Sequence, residues 1–388
     1  MRKRQSKIGK GRTRLFALTV LVLSGAVLFG AAEIAGRLLP SMSSYRYRFT
    51  YEKVFAPSPF VGVVPCPGLD ETISGTRFRI NSLGFRGPET TIAHKPGQTR
   101  IICLGGSTTF GMYHLKDGTQ AYPGQLDRIL KSKGFPAEVL NGGVPGYSTR
   151  TTLINIISRI RYLKPDLVLV MHNTNDLAQN GSGRLREKQA LPVYGGRSST
   201  FLPWWLIRHS YAAAELEYRL GMIKWPSFNS RPPQAAPAQK EKGGHELGKY
   251  SEADAQVFEE NLNLLADQAE KFGFRLGFIT MAQAIRPETD LNNLTEDEKR
   301  MNLDRLGRTY YRLDPDQVGY GLERYNDIIR KVARERNLIL SDSAPDVPKT
   351  PEFFYDRVHL RPPGYAIVAA KAAEAIIRAG LFNTGKEN

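Results

Sequence analysis

The sequence predicts an α/β fold with a parallel five-stranded sheet, because two kinds of segment alternate along most of it. From Arg100 onward, short apolar segments alternate with longer amphipathic ones. This pattern is typical of a parallel sheet that is covered by helices on both faces. The predicted strands are 100–104, 137–141, 166–172, 275–281 and 338–341. The predicted helices are 122–133, 148–163, 252–272, 319–336 and 364–379.

Residues that favour helix N-termini mark three of these helices. Ser148 and Ser251 stand where an N-cap is expected, and Pro362 and Pro363 come at the start of the last helix. These residues support the boundaries that the periodicity gives. They also place the residues just before the last helix in a loop, because proline does not allow the helix to begin earlier.

The composition is that of a globular protein with a packed core. The 388 residues are 41% hydrophobic and 24% charged, and this length fits one large domain with insertions or two smaller domains. Cys66 and Cys103 cannot form a disulfide framework, and no Cys/His cluster has the spacing of a zinc site. We therefore expect no metal and no cofactor. Cys103 lies within a predicted strand and is expected to be a buried core residue.

The net charge of +16 is strongly basic. Seven positive residues precede the first acidic residue, and the remainder still carries +9. Nucleic acid is one partner that such a charge could attract, but no zinc finger, helix-turn-helix or RNA-binding aromatic motif is present. We expect no nucleic-acid partner, and an anionic membrane surface or an acidic glycan fits the charge better.

An apolar segment near the N-terminus predicts a membrane anchor. Residues 15–32 carry no charge and would span about 27 Å as a helix, close to the hydrocarbon thickness of a bilayer. We expect 1–14 to be a basic cytoplasmic tail and 15–39 to be a transmembrane helix, with the rest extracytoplasmic. A cleaved signal peptide is the alternative, because Gly30, Ala31 and Ala32 resemble a small-residue cleavage site.

The remaining sequence divides into an extension and one main domain. We expect 40–99, with candidate strands at 45–51 and 77–80, to pack on a domain that spans 100–382. Insertions at 177–250 and 285–317 interrupt the alternation. The first insertion holds all three tryptophans. Three interpretations of its part 201–225 are open: a lid over a site, a segment that lies on the membrane interface, or an insertion that simply packs on the domain.

Four polar segments follow predicted strands or precede the last helix. Their candidate functional residues are Ser107, Gly146, Asn175, Asp356 and His359. The carboxyl ends of parallel strands lie at one edge of a sheet, so these segments are expected to converge. A serine becomes a nucleophile when a histidine takes its proton and a carboxylate orients the histidine. The backbone N–H groups of Ser107 and Gly146 and the side-chain amide of Asn175 are candidate oxyanion donors.

These segments resemble the four blocks of the SGNH/GDSL hydrolase family. The sequence reads GGSTTFG around Ser107, NGGVPG up to Gly146, NTND around Asn175, and DRVHL from Asp356 to His359. The resemblance covers about 100–380 and implies a three-layer α/β/α flavodoxin-like fold. Two positions depart from the commonest family pattern. Gly106 stands where an acidic residue is usual, and Asn173 stands where a glycine is usual. We expect these departures to change loop packing and to preserve activity.

The resemblance implies a serine esterase or acylhydrolase, and the N-terminal apolar segment implies that it is anchored in a membrane and acts outside the cytoplasm. Its substrate would be an acyl or acetyl ester on a glycan or lipid. Two alternatives remain open: an O-acyltransferase of polysaccharide that uses the same triad, and a non-catalytic glycan-binding or assembly protein. His172, next to the third block, is expected to be structural; otherwise it would contact the substrate.

Overall fold

The computed structural model describes a five-stranded parallel sheet, preceded by two hairpins. It describes residues 8–38, 53–58, 60–73, 75–112, 114–180, 206, 210, 212–213, 250–284, 313 and 315–382. The hairpin strands are β1 (Phe55–Ser58), β2 (Gly62–Pro65), β3 (Asp70–Ile73) and β4 (Thr76–Arg79). The sheet strands are β5 (Thr99–Gly105), β6 (Ala137–Asn141), β7 (Leu167–Met171), β8 (Arg275–Ile279) and β9 (Ile339–Ser341). The sheet order is β6-β5-β7-β8-β9, the order of flavodoxin-like folds.

Eight α-helices have both ends within the described residues. They are α1 (Ile8–Leu38), α2 (Ser107–Phe110), α3 (Tyr122–Ser132), α4 (Thr149–Ser158), α5 (Thr174–Asn180), α6 (Glu252–Phe272), α7 (Pro315–Glu335) and α8 (Pro362–Arg378). All five predicted strands and all five predicted helices are confirmed, with ends that differ by a few residues. The predicted helix 148–163 is divided, since α4 ends at Ser158 and a 3₁₀ turn follows at Ile160–Leu163. The candidate strand 77–80 is β4, and the candidate strand 45–51 lies outside the described residues.

Alternate side chains of the strands face the two helical layers. Ile102 and Leu104 of β5 belong to the core on the side of α6 and α7, whereas Ile101 and Cys103 belong to the core beside α3 and α8. Successive strand residues point to opposite faces, so one strand supplies both cores. The result is the predicted three-layer arrangement, in which both faces of the sheet are buried.

The described part of the predicted extension contacts the segments that follow β5 and β6. The Tyr147 hydroxyl donates to the Val63 carbonyl at 2.6 Å. Arg86 is buried, and its guanidinium donates to the carbonyl of Phe110, the last residue of α2, at 3.0 Å. Burial lowers the pKa of Arg86 to about 10, which leaves it charged at neutral pH. The extension therefore supports the turn that carries Ser107.

The two predicted N-caps differ in the structure. The Ser251 hydroxyl accepts a hydrogen bond from the Ala253 N–H, as expected of an N-cap. Ser148 occupies the N-cap position of α4 without a side-chain capping bond. The Asp176 carboxylate accepts from the Thr149 N–H at 3.0 Å instead. A residue of the neighbouring helix α5 thus caps α4.

Both cysteines are buried, and neither forms a disulfide. Cys103 is fully buried in the core, as predicted, and Cys66 is 7% exposed. Burial raises the pKa of the Cys103 thiol to about 12. Neither side chain therefore has the exposed thiolate character of a reactive cysteine.

The chain divides into two compact units, and α1 belongs to the smaller one. This unit comprises Met1–Lys53 and Gly195–Trp225. Its helix α1 contains a stretch, Arg12–Ala35, that is long and apolar enough to cross a membrane, as an anchor or as a signal sequence. Within the same unit, the Glu33 carboxylate accepts hydrogen bonds from the Ser210 hydroxyl at 2.9 Å and from the Ala212 N–H at 3.0 Å.

Candidate active site

Ser107 lies at the carboxyl edge of the sheet, where the strand order changes direction. The chain leaves β5, passes through Gly106 and begins the single-turn helix α2 with Ser107. The strands that follow β5 in the chain, β6 and β7, lie on opposite sides of it. Open α/β sheets bind their ligands in the crevice at such a point. Ser107 therefore lies where a substrate-binding crevice is expected.

Three of the predicted residues form a chain of hydrogen bonds. The Nε2 atom of His359 lies 2.7 Å from the Ser107 Oγ atom. The Nδ1 atom of the same ring lies 2.7 Å from Asp356 Oδ2. The imidazole thus bridges a hydroxyl and a carboxylate, the arrangement that proton transfer from a serine requires.

The loop between β9 and α8 holds Asp356 and His359 rigidly. The second oxygen of Asp356 accepts from the N–H of Val358 at 2.9 Å and from the N–H of His359 at 2.8 Å. Burial raises the pKa of Asp356, but the neighbouring His359 charge and these hydrogen bonds outweigh it and hold the pKa well below its ordinary value. The carboxylate is therefore ionised at neutral pH and faces the imidazole.

Gly106, the first departure from the family pattern, lets Asn175 approach the nucleophile turn. A Cβ atom at position 106 would lie 2.7 Å from the Asn175 Nδ2 atom, which is too close for any side chain. The same Nδ2 atom donates to the Tyr147 carbonyl at 2.7 Å. Glycine at this position thus allows the Asn175 amide to sit directly against the backbone that precedes Ser107.

Gly146 occupies a conformation that other residues rarely adopt. Its φ angle is +83°, in the left-handed region that favours glycine. Within the described part of the chain, the backbone N–H groups of Gly146 and Ser107 donate no hydrogen bond to another residue. Both groups have the donor capacity that an oxyanion would use.

Asn173, the second departure, is part of a buried amide network. It is 1% exposed, and its Nδ2 atom donates to Asn326 Oδ1 at 3.2 Å. Asn326, on α7, also accepts from the Met281 N–H at 3.0 Å and donates to the Met281 carbonyl at 3.1 Å. Asn173 therefore links the end of β7 to the segment after β8.

Asn326 and His114 were not predicted from the sequence. Only Asn326 stands in a sequence pattern that indicates its role. Asn326 stands on the buried face of α7 among Leu322, Tyr325 and Ile329, so it is a polar residue in an apolar stripe. His114 donates from Nε2 to the Leu360 carbonyl at 2.8 Å and stacks on Tyr355 with 4.5 Å between ring centroids. Nothing near His114 in the sequence indicates these contacts.

His172 has the contacts of a structural residue. It is 3% exposed, and its Nε2 atom lies 2.7 Å from the Thr152 hydroxyl on α4. Burial lowers its pKa to about 3, so the ring is neutral. A side chain held in this way forms a fixed wall beside the site.

A comparison with protein-family models identifies the family. The model of the GDSL-like lipase/acylhydrolase family matches residues 103–367, which is more than half of the chain. The chain belongs to this family. The protein is accordingly an ester-bond hydrolase with the parallel sheet and flanking helices described above.

Solved structures similar to the chain include esterases of low sequence identity. A GDSL-like lipase from Bacteroides thetaiotaomicron is 14% identical, with 72% of this chain and 89% of that chain covered and a TM-score of 0.39. An acetylxylan esterase from Geobacillus stearothermophilus is 16% identical, with 72% and 94% covered and a TM-score of 0.40. No curated protein matches the chain.

Proposed function

We propose that the protein is a membrane-anchored, extracytoplasmic serine esterase that removes an acyl group from a glycan or lipid. The observation that carries the proposal is the hydrogen-bonded chain of Ser107, His359 and Asp356, with both joining distances at 2.7 Å. Two segments far apart in the sequence supply these groups, since Ser107 follows β5 whereas Asp356 and His359 share the loop before α8. A packing role alone does not require this combination.

In the proposed reaction, the Ser107 Oγ atom attacks the ester carbonyl and His359 takes its proton at Nε2. Asp356 accepts from Nδ1–H, which fixes the tautomer and stabilises the imidazolium that forms. His359 then protonates the departing alcohol. Water, deprotonated by the same imidazole, attacks the acyl-enzyme and releases the carboxylic acid. The ionised state of Asp356 at neutral pH supports this role.

The oxyanion of each tetrahedral intermediate would be bound by three donors. They are the backbone N–H groups of Ser107 and Gly146 and the side-chain amide of Asn175. The positive φ of Gly146 and the close contact between Gly106 and Asn175 support this assignment. Donors that are fixed before the reaction stabilise the developing charge without reorganisation.

The membrane part of the proposal rests on α1 and the charges that precede it. The stretch Arg12–Ala35 has 24 residues and would reach about 36 Å along a helix. The basic residues before it favour retention of the N-terminus in the cytoplasm. A basic catalytic domain outside the cytoplasm suits an anionic envelope lipid or an acylated acidic glycan.

Labelling with a fluorophosphonate and hydrolysis of an aryl ester test the enzymatic part. We expect the wild type to be labelled and Ser107→Ala to lose labelling and roughly 10⁴- to 10⁶-fold of its kcat/KM. His359→Ala is expected to lose activity on the same scale. Ser158→Ala is the matched control, because Ser158 lies on the exposed face of α4. Equal labelling of wild type and Ser107→Ala would contradict the proposal.

Product analysis separates hydrolysis from acyl transfer. The acyl-enzyme is incubated with and without an acceptor glycan, and the free acid and the acylated glycan are both measured. The proposal expects the free acid as the main product in either case. Acylated glycan as the main product would identify a transferase with the same nucleophile.

A further inference from the structure

A cavity borders Ser107, and it is very small. It is a partly open recess of about 10 Å³, and its lining includes Ser107, Asn175, His172, Asn173 and Met281. This is about the volume that one water molecule needs. The cavity therefore touches both the proposed nucleophile and one proposed oxyanion donor. Its other walls come from the end of β7 and the residues that follow it, from Met281 after β8, and from Val358 in the loop before α8.

We propose that this cavity receives the acyl group and restricts it to acetyl, an inference that rests on the proposed function. In an ester poised for attack by Ser107, the carbonyl oxygen points to the oxyanion donors, and the acyl chain leaves from the same carbon atom. The cavity borders the nucleophile and such a donor and continues past them to Asn173 and Met281, which leaves space for the first carbon of the acyl chain. A methyl group is about the size of a water molecule, so the methyl of an acetyl group fits.

Hydrogen bonds to buried residues hold Met281, which forms one wall of the cavity, in place. Both backbone groups of Met281 are bonded to Asn326, which is fully buried. The Met281 Sδ atom accepts from the Thr174 hydroxyl at 3.6 Å. Moving this residue away from Ser107 would leave several buried polar groups without partners, which is unfavourable.

The walls on the side of β7 are held in a similar way. Asn173 donates to Asn326 and to the Leu322 carbonyl, and His172 is bonded to Thr152. The Asn173 side chain lines the cavity and fills space on this side of it. A longer acyl chain would have to break this network to enter.

Two aryl esters that differ only in acyl length test the proposal on the full chain in detergent. The measurement is kcat/KM for p-nitrophenyl acetate and for p-nitrophenyl butyrate. We expect the wild type to favour acetate by about tenfold or more, since one misfit methylene can cost that much. Met281→Ala, which enlarges the cavity, is expected to reduce this preference about tenfold. Met112→Ala is the matched control, because Met112 is also buried but does not line the cavity.

Equal use of the two esters by the wild type would overturn the inference. An unchanged preference in a Met281→Ala variant with native circular dichroism would overturn it as well. Should that variant not fold, Met281→Val, which removes less bulk, is measured with the same two outcomes. Failure of the proposed function has a different signature, namely a wild type no faster than Ser107→Ala on acetate. An active wild type without chain-length preference refutes only the acetyl restriction.

Discussion

The amide of Asn175 is fixed by two close neighbours. Its Nδ2 atom donates to the Tyr147 carbonyl at 2.7 Å, and the missing side chain of Gly106 leaves room for it. These contacts set the orientation of the amide before any substrate binds. A donor fixed in this way would act mainly on the transition state, where negative charge develops on the carbonyl oxygen.

Asn175→Ala is therefore expected to lower kcat about 100- to 1000-fold and to change KM little. Steady-state kinetics on an acetate ester provide the measurement. Asn263→Ala is a suitable control, because Asn263 lies on α6 and its amide bonds only to Glu259 and Arg336 among the described residues, neither of which lines the cavity at Ser107. A variant that raised KM and kept kcat would show that Asn175 binds the ground state.

His114 supports the loop that carries Asp356 and His359. It donates to the Leu360 carbonyl, one residue after His359, and its ring stacks on Tyr355, one residue before Asp356. Burial and the nearby His359 charge lower the pKa of His114 to about 4. At neutral pH it is therefore an uncharged support that does not repel an imidazolium at His359.

Replacing His114 by phenylalanine keeps the stacking and removes the hydrogen bond to Leu360. We expect His114→Phe to lower kcat about 2- to 10-fold, the effect of one typical hydrogen bond, with KM unchanged. We expect no change in the acidic limb of the pH profile between pH 5 and 8, because His114 is neutral throughout this range. A shift of that limb would show that His114 titrates during catalysis.

Between elements, Asp176 joins α5 to the N-terminus of α4. It is 1% exposed and accepts hydrogen bonds from both the N–H and the hydroxyl of Thr149. Burial raises the pKa of Asp176 to about 7, although the bonds from Thr149 and the helix N-terminus favour the charged form. The folded protein therefore holds this carboxyl group protonated over a pH range in which the unfolded chain ionises it.

This raised pKa gives a pH dependence of stability with a definite sign. The stabilisation from a protonated Asp176 is complete below about pH 4 and is lost as the pH rises towards 7. Asp176→Asn cannot ionise, so its unfolding temperature relative to the wild type is expected to rise between pH 4 and pH 7. Thermal unfolding followed by circular dichroism at pH 4, 5.5 and 7 measures this. A constant difference across the three values would show that folding does not raise the pKa of Asp176.

The strands and helices could be predicted from the sequence because the patterns that indicate them are local. A strand that is buried on both faces is a continuous apolar run, and an amphipathic helix repeats its apolar positions along one stretch of chain. The contacts of His114 and Asn173 are not local. His114 meets a carbonyl 246 positions away, and Asn173 meets an amide 153 positions away.

The candidate nucleophile, base and carboxylate were predictable for a related reason. Ser107 directly follows a strand, and Asp356 and His359 share one short loop, so the rule that strand ends converge was enough to bring them together. The capping of α4 was not predictable in this way. Ser148 has the local pattern of an N-cap, but Asp176 lies close enough in space to replace it.

At the scale of the whole molecule, the smaller unit contains the helix that could cross a membrane. Apolar side chains along α1 are largely exposed, with Leu15 at 66% and Val27 at 71%. In water such a surface would be unfavourable, whereas a lipid environment accommodates it. This supports the proposed anchor, while a cleaved signal sequence remains the competing reading of the same helix.

We expect the full chain to remain in the membrane after extraction with alkaline carbonate and to keep its N-terminal residues. Mass spectrometry of the extracted protein distinguishes an anchor from a signal sequence, because cleavage near residue 32 would remove about 3.5 kDa, at roughly 110 Da per residue. A deletion of residues 15–32 is the control and is expected in the soluble fraction. A soluble, shortened wild type would refute the anchor.

The burial of both native cysteines has a practical consequence for establishing orientation. Neither Cys66 nor Cys103 presents an accessible thiol, so the natural chain already behaves as a cysteine-free background for maleimide reagents. A single cysteine is then introduced, either Ser6→Cys before the apolar stretch or Asn388→Cys near residue 388. Any maleimide labelling would come from that cysteine alone. Reaction of only the second with an impermeant maleimide on intact cells would place the hydrolase outside the cytoplasm.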